Sequence, residues 1–528
     1  MKHLRPTLAI AAVALSVGIH SPGSPAQDKP APKPDAPAAT GWAEIRVVDS
    51  ASGRGVPLAE LETVNGQKFV TDNAGRVVFQ EPGLMDREIF FSIRSHGYEV
   101  AKDGFGIVGA RVTPRVGKPI EIKIARKSVA ERLCRLTGEG LNRDSLLLGH
   151  KPPLAESAHP GRVAGQDSVQ AAVHNGKVHW FWGDTLRMDY PLGLFRMAGA
   201  TTAVPDPKDP KSDPADGIAF DYFTDAKTGF ARAMMPLPER PEGVVWVFAV
   251  FTVPDDKGKE KLVGHYSRRK GLEKEYEQGI AVFDDGKALF ESVHQTPLTE
   301  TWRHPNGHPI LFEEGDTKWL LFGSPNPNVR VPATLKAVLD PDQYEAFTCA
   351  RADKPTEPDV DDDGKPKWRW QKKLPPTDSK TEHQWLKYQK LKAGHARFCP
   401  ADASAPTERI QMHSGSVRWN VHRKLWVLLA GQIGGKPSHL GEVWYAEATH
   451  PAGPFATAAK VLTHDRQTFY NVCHHAFLDR DGGRTIHFEG TYTNDFSGNP
   501  EKTARYNYNQ VLYRLDLDAE GLRGARAK

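Results

Sequence analysis

One stretch decides the fold: Ser168-Val169-Gln170-Ala171-Ala172-Val173, a short polar turn, and then Val178-His179-Trp180-Phe181-Trp182-Gly183-Asp184. An apolar strand, a turn and an aromatic-rich strand together indicate an antiparallel hairpin. The same pattern returns four more times, at 233–237 with 244–248, 308–312 with 318–322, 415–419 with 425–429, and 473–478 with 485–489. Five copies of one hairpin predict a repeated all-β architecture.

A further strand follows each hairpin, at 199–204, 279–283, 344–348, 442–446 and 510–515. Sheets of three or four strands that recur with a period longer than about 40 residues are typical of a β-propeller. The five hairpins predict five blades over residues 161–518, with 165–173 as the innermost strand of the first blade. The alternative is a β-sandwich in which the hairpins recur by coincidence.

A smaller all-β domain precedes this repeat. Residues 42–48 alternate apolar and polar side chains, and strands are predicted around a turn within 69–79, at 89–93 and at 120–124. The phrases "VVDSASGRGVPLAELE" (47–62), "TDNAGRVVF" (71–79) and "SHGYEV" (95–100) resemble the carboxypeptidase-regulatory-like, transthyretin-type β-sandwich. The resemblance implies a sandwich over 42–126 that serves as a spacer or docking module.

The segments outside these domains have their own compositions. Residues 1–26 combine a basic head, an apolar stretch over 8–19 and a small-residue site ending at Ala26, as a cleaved secretory signal peptide does, so we expect export to the periplasm or beyond. A linker rich in Pro and Ala is predicted at 27–41, a connector with a short helix over 129–136 at 127–160, an insertion at 353–405 and a tail at 519–528.

Composition excludes some partners. The chain has 528 residues and a net charge of +4, without a basic cluster, which argues against nucleic acid as a ligand. We also expect no stable membrane insertion, and the sequence does not predict the oligomeric state. The four cysteines include no CxxC pair. Cys349 and Cys399 flank the insertion and could pair in an oxidising compartment; four free buried thiols are the equal alternative.

Candidate catalytic residues follow from aligning the five hairpins on the aromatic residue of their second strand. Asp167 then begins the first inner strand, and the matching positions fall at Arg232, Asn306, His413 and a residue just before His474. Long loops lie on this face of the predicted propeller, which marks it as the functional face.

Further carboxylates are predicted at the same rim. Asp184 and Glu489 lie near the ends of second strands, and Glu442 begins a third strand. Carboxylates around one funnel are what glycoside hydrolysis needs, since one activates water and another acid protonates the leaving oxygen. We expect Asp167 to be the base, kept ionised by Arg232, and Asp184 or Glu489 to be the acid.

The remaining candidates are expected to bind the sugar: Arg232, Asn306, His413, Glu442, His474 and His475. No cofactor is expected to be required, although a divalent cation such as calcium could occupy the channel. An acidic turn over 359–364 lacks the downstream Glu of an EF-hand and reads as a solvated charge run.

The phrases "GQDSVQAAV" (165–173) with "WFWGDT" (180–185), "GEVWYAEATHPAGPF" (441–455) and "YNQVLYRLDL" (508–517) resemble the five-bladed glycoside hydrolases of the arabinanase/xylosidase (family 43), levanase and endo-arabinofuranase type. The resemblance implies a carbohydrate substrate and a base at Asp167. Those enzymes also carry an Asp in the second blade and a Glu acid in the third, where this sequence has Arg232 and Asn306.

Two other functions fit the same residues. Imidazoles bind divalent metals well, so His413, His474 and His475 could form the centre of a metal-dependent polysaccharide lyase if they converge. A carbohydrate- or surface-binding propeller without catalysis would show neither paired carboxylates nor converging histidines, only aromatic residues around a shallow pocket.

Overall fold

The computed structural model describes residues 41–189, 194, 195 and 197–527, and this part of the chain is all-β with a few short helices. The predicted signal peptide and almost all of the predicted linker lie outside it. Within it, no helix is long and apolar enough to cross a membrane.

The described chain begins with eight strands: β1 (Ala43–Asp49), β2 (Glu60–Thr63), β3 (Lys68–Val70), β4 (Arg76–Phe79), β5 (Ile89–Arg94), β6 (Tyr98–Glu99), β7 (Gly109–Val112) and β8 (Ile120–Arg126). They form two sheets, ordered β4-β1-β8-β6 and β3-β2-β5-β7. Ile45, Leu61, Phe79 and Phe91, from both sheets, share one buried cluster. The alternation seen in the sequence therefore buries one face of each sheet against the other.

The connector contains a strand where the sequence predicted a helix, and that prediction was wrong. β9 (Glu131–Arg135) is buried at all five positions and pairs with a strand near the C-terminus. Its charged side chains find partners there, since Arg514 binds the Glu131 carboxylate at 2.8 Å. A five-residue segment is too short for apolar spacing to separate strand from helix. The only helix here, α1 (Arg143–Leu147), follows later among the described residues.

Fifteen strands follow up to the insertion: β10 (Val163–Gln166), β11 (Gln170–His174), β12 (Lys177–Phe181), β13 (Thr185–Arg187), β14 (Leu194–Phe195), β15 (Gly199–Ala203), β16 (Asp221–Tyr222), β17 (Val244–Pro254), β18 (Glu260–Lys270), β19 (Lys274–Asp284), β20 (Leu289–Thr296), β21 (Ile310–Glu314), β22 (Thr317–Phe322), β23 (Val329–Pro332) and β24 (Glu345–Thr348).

The insertion and the C-terminal part supply the rest: β25 (Arg369–Gln371), β26 (Ala401–Asp402), β27 (Ala405–Arg409), β28 (Met412–Asn420), β29 (Leu425–Gln432), β30 (Val443–Ala448), β31 (Thr457–Leu462), β32 (Thr468–His474), β33 (Thr485–Thr493) and β34 (Asn509–Asp516). Two helices lie among them, α2 (Leu335–Val338) before β24 and α3 (Ser379–Lys387) after β25. Single 3-10 turns occupy Pro160–Arg162, Pro210–Ser212, Pro214–Asp216, Pro341–Gln343, Ala393–His395, Ala476–Leu478, Asp481–Gly483 and Glu520–Ala525.

These strands form five successive sheets in the described chain. Sheet 1 is β11-β12-β15-β16, sheet 2 is β17-β18-β19-β20, and sheet 3 is β21-β22-β23-β24-β25. Sheet 4 is β28-β29-β30-β31-β26-β27, and sheet 5 is β32-β33-β34-β9. A small extra sheet, β10-β13-β14, lies beside sheet 1.

The buried clusters connect the five sheets in a closed series. Each cluster draws side chains from two neighbouring sheets, represented by Phe181 with Val247, Phe251 with Phe322, Leu321 with Val417, Leu429 with Phe488, and Leu512 with Trp180. The last pair joins sheet 5 back to sheet 1, and β9 completes sheet 5 with an early segment of the chain. Apolar burial therefore holds the sheets in a ring rather than in two stacked layers.

Four strand predictions were wrong in detail. One is 473–478 in sheet 5, where β32 ends at His474 and Ala476–Leu478 form a 3-10 turn. Residues 233–237 form no strand, and 244–248, predicted as a second strand, belong to β17, the first strand of sheet 2. The error arose because 244–248 was paired with 233–237, so that β18, the actual hairpin partner of β17, was not predicted. In sheet 3 the third strand is β23, and the predicted one, β24, is the fourth.

The predicted inner strand over 165–173 is also broken in two. β10 pairs with β13, whereas β11 pairs with β12. Between them Ser168 has a left-handed backbone, with φ 55°. A non-glycine residue in this region is uncommon and is found where the surrounding structure fixes it, often at a functional site.

The insertion is tied into the ring rather than projecting from it. β25 extends sheet 3, and β26 joins sheet 4 beside β31. Its centre is the buried Glu382 carboxylate, which accepts hydrogen bonds of 2.7 Å from the backbone N–H of Arg397, Phe398 and Cys399. Cys349 and Cys399 are buried free thiols, so the disulfide that the sequence left open is not formed in this structure.

Candidate functional site

A cavity of about 970 Å³ opens where the five sheets meet. Strands of sheets 1, 2, 4 and 5 contribute to its wall, as do the segments that flank the first two strands of sheet 3 and other loops. Its lining residues include Asp167, Asp184, Trp246, Arg269, Asn306, His308, His413, Tyr470, Phe496 and Tyr508. This volume lies at the upper end of the range of small-molecule sites.

The first strands of the sheets are irregular where they reach the cavity. Pairing shifts register between Phe248 and Phe251 in sheet 2, between Met412 and Gly415 in sheet 4, and between Tyr470 and Cys473 in sheet 5. Bulges bend a strand and redirect its side chains, and they are common beside active sites. Here they place His413 and Tyr470 on the cavity wall.

Asp167 lies in the break between β10 and β11. Its Oδ1 accepts the backbone N–H of Asp184 at 2.8 Å, and its Oδ2 accepts the hydroxyl of Tyr470 at 2.7 Å. Burial raises the pKa of Asp167, while the hydroxyls of Tyr470, Tyr508 and Ser168 act in the opposite direction by stabilising the carboxylate. Arg232, predicted to keep it ionised, is not involved; hydroxyl and amide donors take that part.

Asp184 follows β12 on the same wall. Its Oδ1 accepts the indole N–H of Trp246 at 2.8 Å. Burial raises the pKa of Asp184 to about 6, and the neighbouring charge of Asp167 contributes to the rise. Two carboxyl groups side by side disfavour double ionisation, so this pair can bind a proton that a single exposed carboxylate would lose.

Tyrosines and one exposed phenylalanine complete this side of the cavity. Burial and the nearby carboxylates raise the pKa of Tyr470 and Tyr508, which therefore remain hydroxyl donors. The ring of Phe496 is 60% exposed and meets the ring of Tyr470 edge-on at 6.3 Å. Sequence reasoning missed Tyr470, which lies beside the bulge of β32, and Tyr508, which lies just before β34. It also missed Trp246, because 244–248 was predicted to be a second strand rather than the inner strand of its sheet.

The sheets further round the ring contribute mainly imidazole and amide groups. Asn306 and His308 precede β21, and His413 belongs to β28. Burial and the charge of Arg418 hold the pKa of His308 well below its usual value. Burial and His439 lower the pKa of His413. Neutral imidazoles therefore line the same cavity as the carboxyl groups of Asp167 and Asp184.

Five predicted site residues lie away from the cavity. Arg232 donates to the backbone oxygens of Lys287 and Ala288, because the segment after it is not an inner strand. Glu442 is buried and binds Lys460 at 2.7 Å. His474 binds Asp479 at 2.8 Å, and His475 binds Glu489 at 2.8 Å; these three predicted residues, His474, His475 and Glu489, are buried behind the cavity wall.

The histidine cluster that a metal-dependent lyase would need is not formed. His413 lines the cavity, whereas His474 and His475 point into the protein interior toward their carboxylate partners. Among the described residues, no group of three or more His, Cys, Asp or Glu side chains is arranged to hold a metal ion.

Comparison with known proteins gives remote structural similarities. No protein-family profile matches the chain, and no curated protein matches it. Among solved structures, it is similar to an exo-1,5-α-L-arabinanase from a bovine ruminal metagenomic library, at 11% identity, covering 69% of this chain and 97% of that one with a TM-score of 0.33.

Two further solved structures give the same picture. A GH43_1 enzyme from Xanthomonas citri is 13% identical, over 67% of this chain and 87% of that one, with a TM-score of 0.32. An endo-1,5-α-L-arabinanase from Thermotoga petrophila RKU-1 is 11% identical, over 68% and 73%, with a TM-score of 0.32. These similarities are too remote to assign an activity, so the chemistry must be argued from the cavity itself.

Proposed function

We propose that this protein is a glycoside hydrolase that cleaves a poly- or oligosaccharide in the cavity at the centre of its ring of sheets. The observation that carries the proposal is the pair Asp167 and Asp184. The two carboxyl groups share one wall, and the backbone N–H of one holds the carboxylate of the other. Hydrolysis of a glycoside needs a carboxylate that can accept a proton from water, and this pair provides it.

The environment of the pair suits a base. Asp167 accepts two hydrogen bonds that favour its ionised form, and burial raises its pKa, so its carboxylate takes up a proton more readily than an exposed one does. Asp184, with a pKa of about 6, exchanges a proton close to neutral pH. Near-neutral pKa values favour general acid–base catalysis, because both protonation states are then accessible.

The rest of the cavity suits a sugar. Trp246, Phe248, Tyr470 and Phe496 offer aromatic surfaces, and Asn306 offers an amide that can bind hydroxyl groups. A hydrolase needs its acid and its base on different sides of the scissile bond. Asp167 and Asp184 lie together, so the acid must come from a wall other than theirs.

We propose that sheets 1 to 5 are the blades of a five-bladed propeller over 161–518, and that residues 42–126 are a transthyretin-like sandwich packed against it. The closed series of buried clusters supports the blade count, and the contact of Leu58 and Val70 with the cluster between sheets 4 and 5 supports the packing. We further propose that the protein is exported, as its first 26 residues predict.

A hydrolysis screen tests the function. The native protein is incubated with soluble arabinan, xylan and galactan and with p-nitrophenyl α-L-arabinofuranoside, β-D-xyloside and β-D-galactoside. We expect release of reducing sugar or nitrophenol from at least one substrate, and loss of that activity in Asp167→Asn. If a polysaccharide binds but is never cut, the protein is a binding module. A product that absorbs at about 235 nm, as unsaturated uronates do, would instead indicate a lyase.

A further inference from the structure

Four side chains form a continuous hydrogen-bonded line from the cavity wall into the protein interior. His308 lines the cavity, and its Nδ1 lies 3.4 Å from the Sγ of Cys473. The same Sγ lies 3.8 Å from Nδ1 of His475. Nε2 of His475 lies 2.8 Å from Oε1 of Glu489. The line therefore reaches from the segment before β21, at the cavity, through the end of β32 to β33.

The inner end of the line is fully enclosed. Glu489 is 0% exposed, and its second oxygen, Oε2, has no hydrogen-bond partner within the described part of the chain. Four titratable groups face Glu489. They are Cys473 on β32, His475 directly after β32, Cys134 on β9 and Tyr222 on β16. None of them is a fixed cation, so nothing compensates a negative charge on Glu489 at close range.

The members of the line are neutral near pH 7. Burial raises the pKa of Glu489 to about 8 and the pKa of the Cys473 thiol to about 12. Burial, followed by the charge of Arg418, holds the pKa of both His308 and His475 well below the usual value. A protonated Glu489 also tolerates its unpartnered Oε2 better than a carboxylate would.

Because all four groups are neutral, each hydrogen bond of the line has a defined donor and acceptor. A protonated Glu489 donates to Nε2 of His475, whose proton then sits on Nδ1 and faces Cys473. The Cys473 S–H in turn donates to Nδ1 of His308, which leaves the His308 proton on Nε2. Within the described residues this Nε2 has no protein partner, and His308 lines the cavity. The line thus sets the tautomer of His308 as a hydrogen-bond donor toward whatever occupies the cavity.

We propose that His308 is the acid that protonates the leaving oxygen of the glycoside, and that Glu489 supplies the proton through His475 and Cys473. The inference rests on the proposed hydrolase function and adds the acid that Asp167 and Asp184 lack. His308 lies just before β21 of sheet 3, whereas the two aspartates flank the first hairpin, β11 and β12, of sheet 1. His308 would touch the substrate; Cys473, His475 and Glu489 act through it.

The step balances in atoms and charge. The glycosidic C–O bond breaks, and its oxygen takes the proton from Nε2 of His308. In the same movement Nδ1 of His308 takes the thiol proton of Cys473, the sulfur takes the proton of His475 Nδ1, and Nε2 of His475 takes the proton of Glu489. Water adds to the sugar and gives its proton to Asp167. Solvent then reprotonates the line through His308 and deprotonates Asp167.

The line explains why a neutral imidazole can serve as an acid here. An isolated neutral imidazole would leave behind an imidazolate, which is far too unstable to form in a protein. Because the protons shift together, the group left behind is the Glu489 carboxylate. Arg418, whose Nη1 donates to the backbone oxygen of His308 at 3.0 Å, lies near the outer half of the line and disfavours any positive charge on it.

A leaving-group comparison tests the proposal. p-Nitrophenolate leaves without protonation, whereas the methoxide of a methyl glycoside needs an acid, so a missing acid slows only the second. The substrates are the p-nitrophenyl and methyl forms of the α-L-arabinofuranoside, β-D-xyloside and β-D-galactoside. We expect His308→Gln and Glu489→Gln to lower kcat for the methyl glycoside by on the order of 100-fold, while the loss on the nitrophenyl glycoside stays within about 5-fold.

Further variants and the pH profile separate a relay from a merely structural role. Cys473→Ala should also lower kcat selectively for the methyl glycoside. Cys473→Ser, which keeps a hydroxyl donor, should recover most of that kcat. The native kcat for the methyl glycoside should fall as the pH rises through about 8, where Glu489 loses its proton. A matched control, Glu442→Gln, changes a buried glutamate outside the line and should keep the native ratio of the two rates.

The outcomes are distinguishable from failure of the hydrolase function. If Asp167→Asn is inactive but Glu489→Gln slows both substrates equally, or keeps the native rate on the methyl glycoside, the relay is wrong and the hydrolase stands. If the native protein cleaves neither form of any of the three sugars, the proposed function and the relay both fall. Thermal unfolding of each variant checks that the fold is intact.

Discussion

Two acidic regions of this protein use the same functional group in opposite ways. Asp167 and Asp184 face the cavity and are held by hydroxyl, amide and indole donors. Glu489 faces the interior between sheets 5 and 1, where His475 is its hydrogen-bond partner. Burial raises the pKa of Asp184 to about 6 and that of Glu489 to about 8. The number of donors around a carboxyl group, and its access to the cavity, thus decide whether it can act as a base or stores a proton.

The largest expected effect on activity comes from replacing Asp167 in the cavity pair. Asp167→Asn keeps the shape of the side chain but removes the proton acceptor, and we expect turnover to fall by about 100-fold or more. The thermal midpoint should stay near the native value, which circular dichroism checks. Asp316→Asn, an exposed aspartate in the turn after β21, is the matched control and should retain the native rate. A native rate in Asp167→Asn would make Asp167 structural.

The second prediction concerns Asp184 and the pH dependence of kcat/KM. We expect kcat/KM to rise with pH through about 6, as Asp184 loses its proton and the pair gains its full negative charge. In Asp184→Asn this limb should disappear and the plateau should fall by about 10- to 100-fold. A pH–rate profile from about pH 4 to pH 9 measures both effects. An unchanged limb in the variant would assign the titration to another group.

Tyr470 tests the donors that distinguish the cavity pair from Glu489. Tyr470→Phe removes the 2.7 Å hydrogen bond to Asp167, which raises the pKa of Asp167 further. We expect a loss of about 3- to 10-fold in kcat. Because Asp167 and Asp184 interact, the acid limb belongs to the pair, and it should move toward higher pH when the pKa of Asp167 rises. Steady-state kinetics over a pH series measure the shift. If the profile does not move, the hydroxyl does not stabilise the Asp167 carboxylate.

Glu489 tests the buried side of the comparison through stability. Its folded pKa of about 8 exceeds the usual pKa of a glutamate, so between about pH 4.5 and 8 the folded state holds a proton that the unfolded chain has lost. Stability must therefore fall as pH rises through this window, by up to about 1.4 kcal/mol per pH unit.

Glu489→Gln cannot titrate and should lose that dependence. The thermal midpoint of the variant minus that of the native protein should increase by a few degrees from pH 5 to pH 8. Calorimetry at matched ionic strength measures both midpoints. Parallel pH dependence in the two proteins would mean that Glu489 is already ionised in the folded state.

The sequence predicted the repeated sheets better than the site they surround. The hairpin of 168–184 and its copies located the strands of sheets 1 and 4 and the second and third strands of sheet 5, because alternation and turn residues act locally. It could not show the bulge between Tyr470 and Cys473 or the left-handed Ser168, which depend on contacts across the ring. One extra residue in a strand reverses the faces of all later side chains.

Two of the five misplaced site residues, Glu489 and Arg232, illustrate different causes. Glu489 was expected at the cavity rim, but the alternation of side chains along β33 directs it into the interior, toward His475. Arg232 was expected on an inner strand, but the inner strand of sheet 2 begins at Val244. Asp167 and Asp184, which flank the first hairpin itself, were the two catalytic candidates that the structure brings together in the cavity.

Chemical rescue of Asp167 tests the central claim most directly. Asp167→Ala is assayed on the best p-nitrophenyl glycoside of the screen, with and without sodium formate or azide. If Asp167 is the base, the variant is nearly inactive, and the small anion restores turnover by occupying the place of the missing carboxylate. Turnover at the native rate in Asp167→Ala without added anion would contradict the account.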